Sequence, residues 1–232
     1  MNEKKAVGEK AAEFVKEGMV VGLGTGSTVY YTLQLLGKLV QQGFSIKGIP
    51  TSRQTEKLAN ELNIPLTSFD DINQVDIAID GADEVSSNLD LIKGGGGALL
   101  REKIVAKAAR KLIIVADSSK LADQLGSFPL PVEIVPFGLE ATRRHIQKLG
   151  IHPELRMVNG TPFITDNGNY ILDCACRRII APHELENNLN IIPGVVDNGL
   201  FIGMADLVIT VDENKEVIMK KREQKASDDI LQ

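Results

Sequence analysis

Between Lys93 and Glu102 the chain reads Lys-Gly-Gly-Gly-Gly-Ala-Leu-Leu-Arg-Glu, a short distance after Asp80-Gly81-Ala82-Asp83-Glu84. Glycine loses more backbone freedom on folding than any other residue. A run of Gly94, Gly95, Gly96 and Gly97 is therefore tolerated where the backbone closely approaches a ligand or takes positive φ. One cation and several carboxylates beside such a run suit a small, oxygen-rich, phosphorylated metabolite. Lys93 can neutralise an oxyanion as it forms. Glu102 lies one helical turn after the apolar Ala98 and Leu99, so it can face a partly dry pocket that raises its pKa. That is how a carboxylate becomes a competent base near neutral pH. The histidines, His145, His152 and His183, all fall later in the chain, which leaves proton transfer here to a carboxylate or a lysine.

A second glycine motif, Gly22-Leu23-Gly24-Thr25-Gly26-Ser27-Thr28, follows an apolar strand and opens a helix. Free N–H groups at a helix N-terminus, with the helix dipole, form an anion site. Two nucleotide readings fail. A dinucleotide fingerprint needs glycine where Ser27 stands and an acid at the end of the next strand, which instead reads Gly48-Ile49-Pro50-Thr51. A P-loop needs lysine at Ser27. A smaller group, such as a sugar phosphate, remains. The alternative is a tight turn with a Ser or Thr cap. Lys120, in Ala116-Asp117-Ser118-Ser119-Lys120, follows a later strand and should reach the same edge of the sheet, and Lys4 is a further candidate. Asp80, Asp83 and Glu84, without histidine, would suit Mg²⁺ better than a transition metal.

The elements that must position these residues alternate. Apolar spacing predicts helices over 6–15, 28–39, 55–62 and 98–109, and strands over 19–23, 45–49, 75–79 and 111–116. This βαβα order points to a parallel sheet with helices on both faces. Prolines at 129 and 131 interrupt the rhythm. Beyond them come a strand over 132–135, a helix over 139–149, a hairpin turning at Asp166-Asn167-Gly168-Asn169 and a helix over 182–189. A strand over 206–211 can return to the first sheet, and the charged stretch from Lys220 to Gln232 reads as a solvated tail. The expected organisation is α/β: a Rossmann-like, mostly parallel sheet built from 1–127 and 203–232, with a smaller α+β domain over 128–202.

At 232 residues, 43% hydrophobic and 25% charged, the chain has ample material for a core. A net charge of −5 and the absence of a basic stripe argue against nucleic acid or an anionic membrane as partner. No apolar run reaches membrane-spanning length, and the N-terminus lacks a signal-peptide core. Cys174 and Cys176 are too close to bridge without strain and lack the second half of a zinc site. The cytoplasm is the expected compartment.

Taken together, these motifs resemble type A ribose-5-phosphate isomerase along nearly the whole chain. The resemblance rests on 22–28, 80–84, Lys93-Gly94-Gly95-Gly96, Arg101-Glu102-Lys103, 116–120 and Leu130-Pro131-Val132-Glu133, and extends through 165–169 and Pro193-Gly194-Val195-Val196. It implies interconversion of ribose 5-phosphate and ribulose 5-phosphate without metal or other cofactor, in a homodimer or larger homo-oligomer. It implies that Glu102 shuttles a proton between C1 and C2, and that Lys93 stabilises the enediolate oxygen. Asp80 would assist ring opening or hydroxyl proton transfer, with Asp83 beside it. Substrate would be held by Thr25, Gly26, Ser27 and Thr28, by Asp80, Gly81, Ala82 and Asp83, by Lys93, Gly94, Gly95 and Gly96, and by Lys120. Gly97 and Cys174-Ala175-Cys176 depart from the family pattern without touching a motif residue. Two rival classes keep parts of it: a sugar-phosphate-binding regulator, and a CoA-transferase-like enzyme with a nucleophilic glutamate. Lys93 beside the glycine run suits an enediolate better than an acyl intermediate.

Overall fold

The computed structural model describes residues 2–222. Helix α1 (Glu3–Ala12) begins at an Asn2 cap, whose side chain accepts the Lys5 N–H at 3.2 Å. It starts earlier than the apolar spacing predicts because the cap and the acidic first-turn Glu3 favour that start. Strand β1 (Val20–Leu23) leads through the first glycine motif into α2 (Val29–Gln41), and β2 (Lys47–Pro50) leads into α3 (Arg53–Glu61). After β3 (Ile77–Gly81) come two short strands, β4 (Glu84–Val85) and β5 (Leu91–Ile92). The glycine run then opens α4 (Leu99–Ala108), followed by β6 (Leu112–Val115) and a 3₁₀ turn at Ser118–Lys120. Next are β7 (Leu130–Ile134), α5 (Leu139–Gln147), β8 (His152–Leu155), β9 (Met157–Val158) and β10 (Thr161–Pro162). β11 (Tyr170–Ala175), α6 (Pro182–Asn190), β12 (Val195–Asn198), β13 (Leu200–Phe201), β14 (Leu207–Val211) and β15 (Val217–Lys221) complete the order.

The main sheet has the order β15-β14-β6-β3-β1-β2, parallel throughout except for antiparallel β15. Its two faces are covered separately, so side chains alternate between two cores. Val21, Leu23, Ile77, Ile79, Ile113 and Val115 pack with α1, α2 and Ala59 of α3, whereas Ala78, Leu112, Ile114 and Val208 pack with Val105 and Ala106 of α4. A second, four-stranded antiparallel sheet, β12-β7-β11-β8, encloses its own core with α5 and α6, and β13-β5-β4 forms a small third sheet.

Two expectations change. The Asp166–Asn169 tetrad does turn the chain, with the Thr165 N–H donating to Asn169 O at 2.9 Å. The strands beside it are not partners, however: β11 pairs with β7 and β8, and β10 pairs with β9. The hairpin turns instead at Asn159-Gly160, both at positive φ, because a two-residue turn between twisted strands demands that conformation and Asn-Gly supplies it. The expected solvated tail begins inside β15, an edge strand with a half-exposed Met219, and its remainder (223–232) lies outside the described residues. The two-residue strands β4, β5 and β13 are too short to leave a periodic signal.

By the same alternation Gly22 faces α4, and an added Cβ there would lie 2.5 Å from Val105 Cγ1 and 2.9 Å from Ala78 Cβ. Gly22→Ala should therefore push α4 off the sheet and cost about 1–3 kcal/mol of stability, the usual size of overpacking. Urea unfolding checks this, and an unchanged midpoint would show that α4 does not seat on Gly22.

Candidate active site

Asp80 points to the α4 face of the sheet, where its Oδ2 lies 3.1 Å from Lys93 Nζ. Its other oxygen accepts the N–H groups of Thr25 at 3.0 Å and Gly81 at 2.8 Å. Gly24 makes room for this carboxylate, since a Cβ there would come within 2.3 Å of Asp80 Oδ1. On α4, Leu99, Glu102, Val105 and Ala106 form the inward stripe expected of helical spacing, and this carries Glu102 to the same ammonium. Glu102 Oε2 lies 3.5 Å from Lys93 Nζ, an ion-pair distance, and makes no hydrogen bond. All three side chains are almost wholly buried. Lys93 also donates to Gly81 O and stands 5.4 Å from the centre of the buried Phe201 ring.

Burial pushes the Glu102 carboxyl up to about 8, against the opposing pull of Lys93 and with help from the Asp80 and Asp83 charges. Burial by itself would lower the Lys93 ammonium, but the Asp80 and Glu102 carboxylates outweigh it and the net shift is upward. The result is a cation held charged beside a carboxyl poised to exchange a proton near neutral pH.

These groups open into a cavity of about 150 Å³ at the carboxyl ends of the parallel strands. Most of the expected residues are brought together there: Thr25, Gly26, Ser27 and Thr28, then Gly81, Ala82 and Asp83, then Lys93, Gly94, Gly96, Glu102 and Lys120. Asp80 and Gly95 are set back from its wall. Asp80 sits beneath Lys93, and Gly95 donates its N–H to Asp83 Oδ2 at 2.7 Å. The Thr25 hydroxyl is occupied by a ring of buried hydroxyls, Thr51 at 2.7 Å, Ser52 at 2.8 Å and Thr55 at 3.1 Å. That ring joins the glycine motif to the start of α3, and sequence spacing did not reveal it. Thr28 stands at the N-cap of α2 but makes no side-chain capping bond, so a capped turn does not account for its hydroxyl. Lys4 reaches Ser27 Oγ at 3.0 Å, on a helix joined to α2 by the Thr32 hydroxyl donating to Gly8 O at 2.8 Å. Glu3 Oε2 accepts from Ser118 N at 3.1 Å and Ser118 Oγ at 2.8 Å, which ties α1 to the 3₁₀ turn. The same turn presents Lys120 and Asp117; Asp117 is a lining residue absent from the expected set.

The acidic cluster does not converge on one point. Asp80 meets Lys93 and Asp83 meets Gly95, while Glu84 accepts the N–H groups of Gly126 at 2.7 Å, Ser127 at 3.1 Å and Phe128 at 3.3 Å. Among the described residues no group of three His, Cys, Asp or Glu side chains is arranged to hold a metal ion. Cys174 is buried in the core of the four-stranded sheet, and both cysteines are free.

A raised carboxyl carries a stability signature. An unfolded glutamate titrates near about 4.3, so above that value the folded chain keeps a proton that the unfolded chain has released. Stability therefore falls as pH rises towards the folded value of about 8. Glu102→Gln removes this penalty. Its Tm should exceed the parent's above that pH and approach it near pH ~5; a difference independent of pH would contradict the raised carboxyl.

The family model described as ribose 5-phosphate isomerase A (phosphoriboisomerase A) matches residues 47–215. Ribose-5-phosphate isomerase A of Bacillus mycoides is 54% identical over 215 residues, covering 92% of this chain and 97% of that protein. A second such relative, from Oceanobacillus iheyensis, is 52% identical and covers 95% of this chain and all of its own. Among solved structures, a D-ribose-5-phosphate isomerase in complex with phospho-erythronic acid superposes with a TM-score of 0.92 at 43% identity, covering 96% of this chain and 100% of that one. The ribose 5-phosphate isomerase of Plasmodium falciparum gives 0.91 at 40% identity, covering 95% and 98%. Likeness of this extent, in sequence and in backbone alike, leaves one assignment: the chain belongs to the ribose 5-phosphate isomerase A family.

Proposed function

We propose that this chain is an isomerase that interconverts D-ribose 5-phosphate and D-ribulose 5-phosphate through an enediolate, within the non-oxidative pentose phosphate pathway. The observation that carries the reading is Glu102 Oε2, a buried carboxylate oxygen without a hydrogen bond, beside the Lys93 ammonium in a cavity lined by two further lysines. Glu102 takes the C2 proton of the open-chain aldose, and the released electron pair forms the C1–C2 double bond. The charge that collects on O1 faces Lys93. Glu102 then returns the proton to C1, while the O2 hydroxyl proton is lost and O1 gains one, with Asp83 on the cavity wall to relay it. Asp80 works through Lys93, holding it charged and in place.

The phosphate belongs with Ser27, Thr28 and the amino end of α2, where Lys4 and Lys120 add charge. A phosphorylated hydroxy acid such as phospho-erythronic acid, the ligand of one solved relative, suits the same lining. In this reading 1–127 and 203–232 make the catalytic domain and 128–202 the smaller one. The smaller domain carries Phe137, Ile180 and Ile191, each at least 77% exposed. We assign such faces to contacts in a homodimer; light scattering that gives the mass of a single chain would refute this. No helix among the described residues is long and apolar enough to cross a membrane, and we place the enzyme in the cytoplasm.

The test is turnover of ribose 5-phosphate in excess EDTA, followed by ketose absorbance. Activity should persist, because Lys93 supplies the positive charge at the reacting oxygen. Glu102→Gln should lower kcat by ~10²–10⁴-fold, the usual weight of general-base catalysis, and abolish exchange of a C2 deuterium with water. Near-parental turnover in that variant would remove Glu102 from the mechanism.

A further inference from the structure

Arg156 lies outside every motif read from the sequence, yet its guanidinium holds the glycine run. It follows β8 directly, its side chain is 13% exposed, and Nε and Nη2 grip the carboxylate of Asp173 on β11. The remaining Nη1 donates to two successive carbonyls, Gly94 O at 3.0 Å and Gly95 O at 3.1 Å. Its planar group also stands 5.7 Å from the centre of Phe163, whose ring fills the space that a Cβ on Gly97 would need.

Peptide geometry turns these contacts into a statement about the cavity. In a trans peptide the C=O and the N–H that follows it point in opposite directions. With Gly94 C=O aimed at Arg156, the Gly95 N–H points away from the guanidinium and meets Asp83 on the cavity wall at 2.7 Å. Gly95 C=O is aimed at the same guanidinium, so the Gly96 N–H is turned to that same side. Gly96 lines the cavity, and a Cβ added there meets nothing within 4 Å. Consecutive glycines can flip their peptide planes at little cost. The Gly97 N–H donates to Gly94 O at 2.9 Å and so gives the first plane a hold within the run, whereas the Gly95 carbonyl is held by Arg156.

We propose that Arg156 is a positioning residue: reaching in from the four-stranded sheet, it locks two peptide planes of the glycine run so that the Gly96 N–H stands beside Lys93 as a hydrogen-bond donor to the enediolate oxygen. The proposal rests on the isomerase reading above. It adds a preorganised backbone donor to that site and names the side chain that sets it.

Arg156→Lys keeps the charge but cannot hold a carboxylate side-on and two carbonyls at once. Among folded protein, kcat should fall on the order of ten- to a hundredfold, somewhat less than outright loss of such a donor. Inhibition by phospho-erythronic acid should weaken to a similar degree, while inhibition by inorganic phosphate stays within about twofold, because only the acid's carboxylate needs the Gly96 N–H. Asp173→Asn, which loosens the grip on the guanidinium, should shift the same quantities in the same direction. Parental kcat and acid affinity in a folded variant would overturn the proposal. So would equal weakening of acid and phosphate, the mark of a merely loosened fold. Variants that fail to fold leave a measurement on the parent: the Gly96 amide resonance should move when phospho-erythronic acid is added and hold still with phosphate, and immobility in both refutes the role. Parental protein without turnover would defeat the isomerase reading itself, a result distinct from all of these.

Discussion

One ammonium ion buried between two carboxylates governs the architecture of this site. Moving charges out of water is costly, and a buried ion pair is retained only where geometry and further hydrogen bonds satisfy it. Lys93 meets Asp80 at 3.1 Å and donates to Gly81 O, and Asp80 takes two backbone N–H groups on its other oxygen. Glu102 is the member left incompletely satisfied, and its burial, which outweighs the pull of Lys93, raises its carboxyl. A carboxyl fully paired with Lys93 would be a weaker base.

The glycines follow from this arrangement. Gly22 and Gly24 lie on the α4 side of β1, the first for the approach of the helix and the second for the Asp80 carboxylate. In the later run, Gly94 (φ 98°) and Gly97 (φ 82°) adopt backbone conformations that L side chains rarely take, and Gly95 is pressed against Asp83 and Phe128. Only Gly96 faces open space. Backbone freedom admitted the shape, and side chains from elsewhere in the chain remove it again.

Those side chains come largely from the four-stranded sheet and the loops around it. Arg101 and Lys103 flank Glu102 on α4 and bind outward in two directions. Arg101 donates to Asn167 Oδ1 at 2.9 Å and Asp166 O at 3.1 Å; Lys103 donates to Asp197 Oδ1 at 2.6 Å and Asn198 O at 2.7 Å. The Asp166 carboxylate also accepts the Arg53 N–H at the start of α3, at 2.7 Å. Beneath this turn, the fully buried Glu133 accepts from Thr165, Asn167 and Asn169. The Asp166–Asn169 turn, instead of closing a hairpin, thus braces α4.

What the sequence by itself determined was local. Short unbroken apolar runs alternating with helically spaced ones specified the parallel sheet and its helices, because a strand buried on both faces is apolar throughout while a helix buried on one face repeats with its turn. Glycine motifs, lone lysines and the scarcity of histidine marked Glu102, Lys93 and the loop at Ser27 and Thr28 as candidates, and these residues line one cavity. Only the tertiary structure decided which of those side chains face the cavity. It set Asp80 beneath Lys93 rather than on the wall, turned the Thr25 hydroxyl into a ring with Thr51, Ser52 and Thr55, and carried Arg156 to a loop more than sixty residues before it. Long-range hydrogen bonds and ion pairs impose no spacing along the chain; they depend on where folding brings distant backbones together, and no reading of neighbouring residues contains that distance.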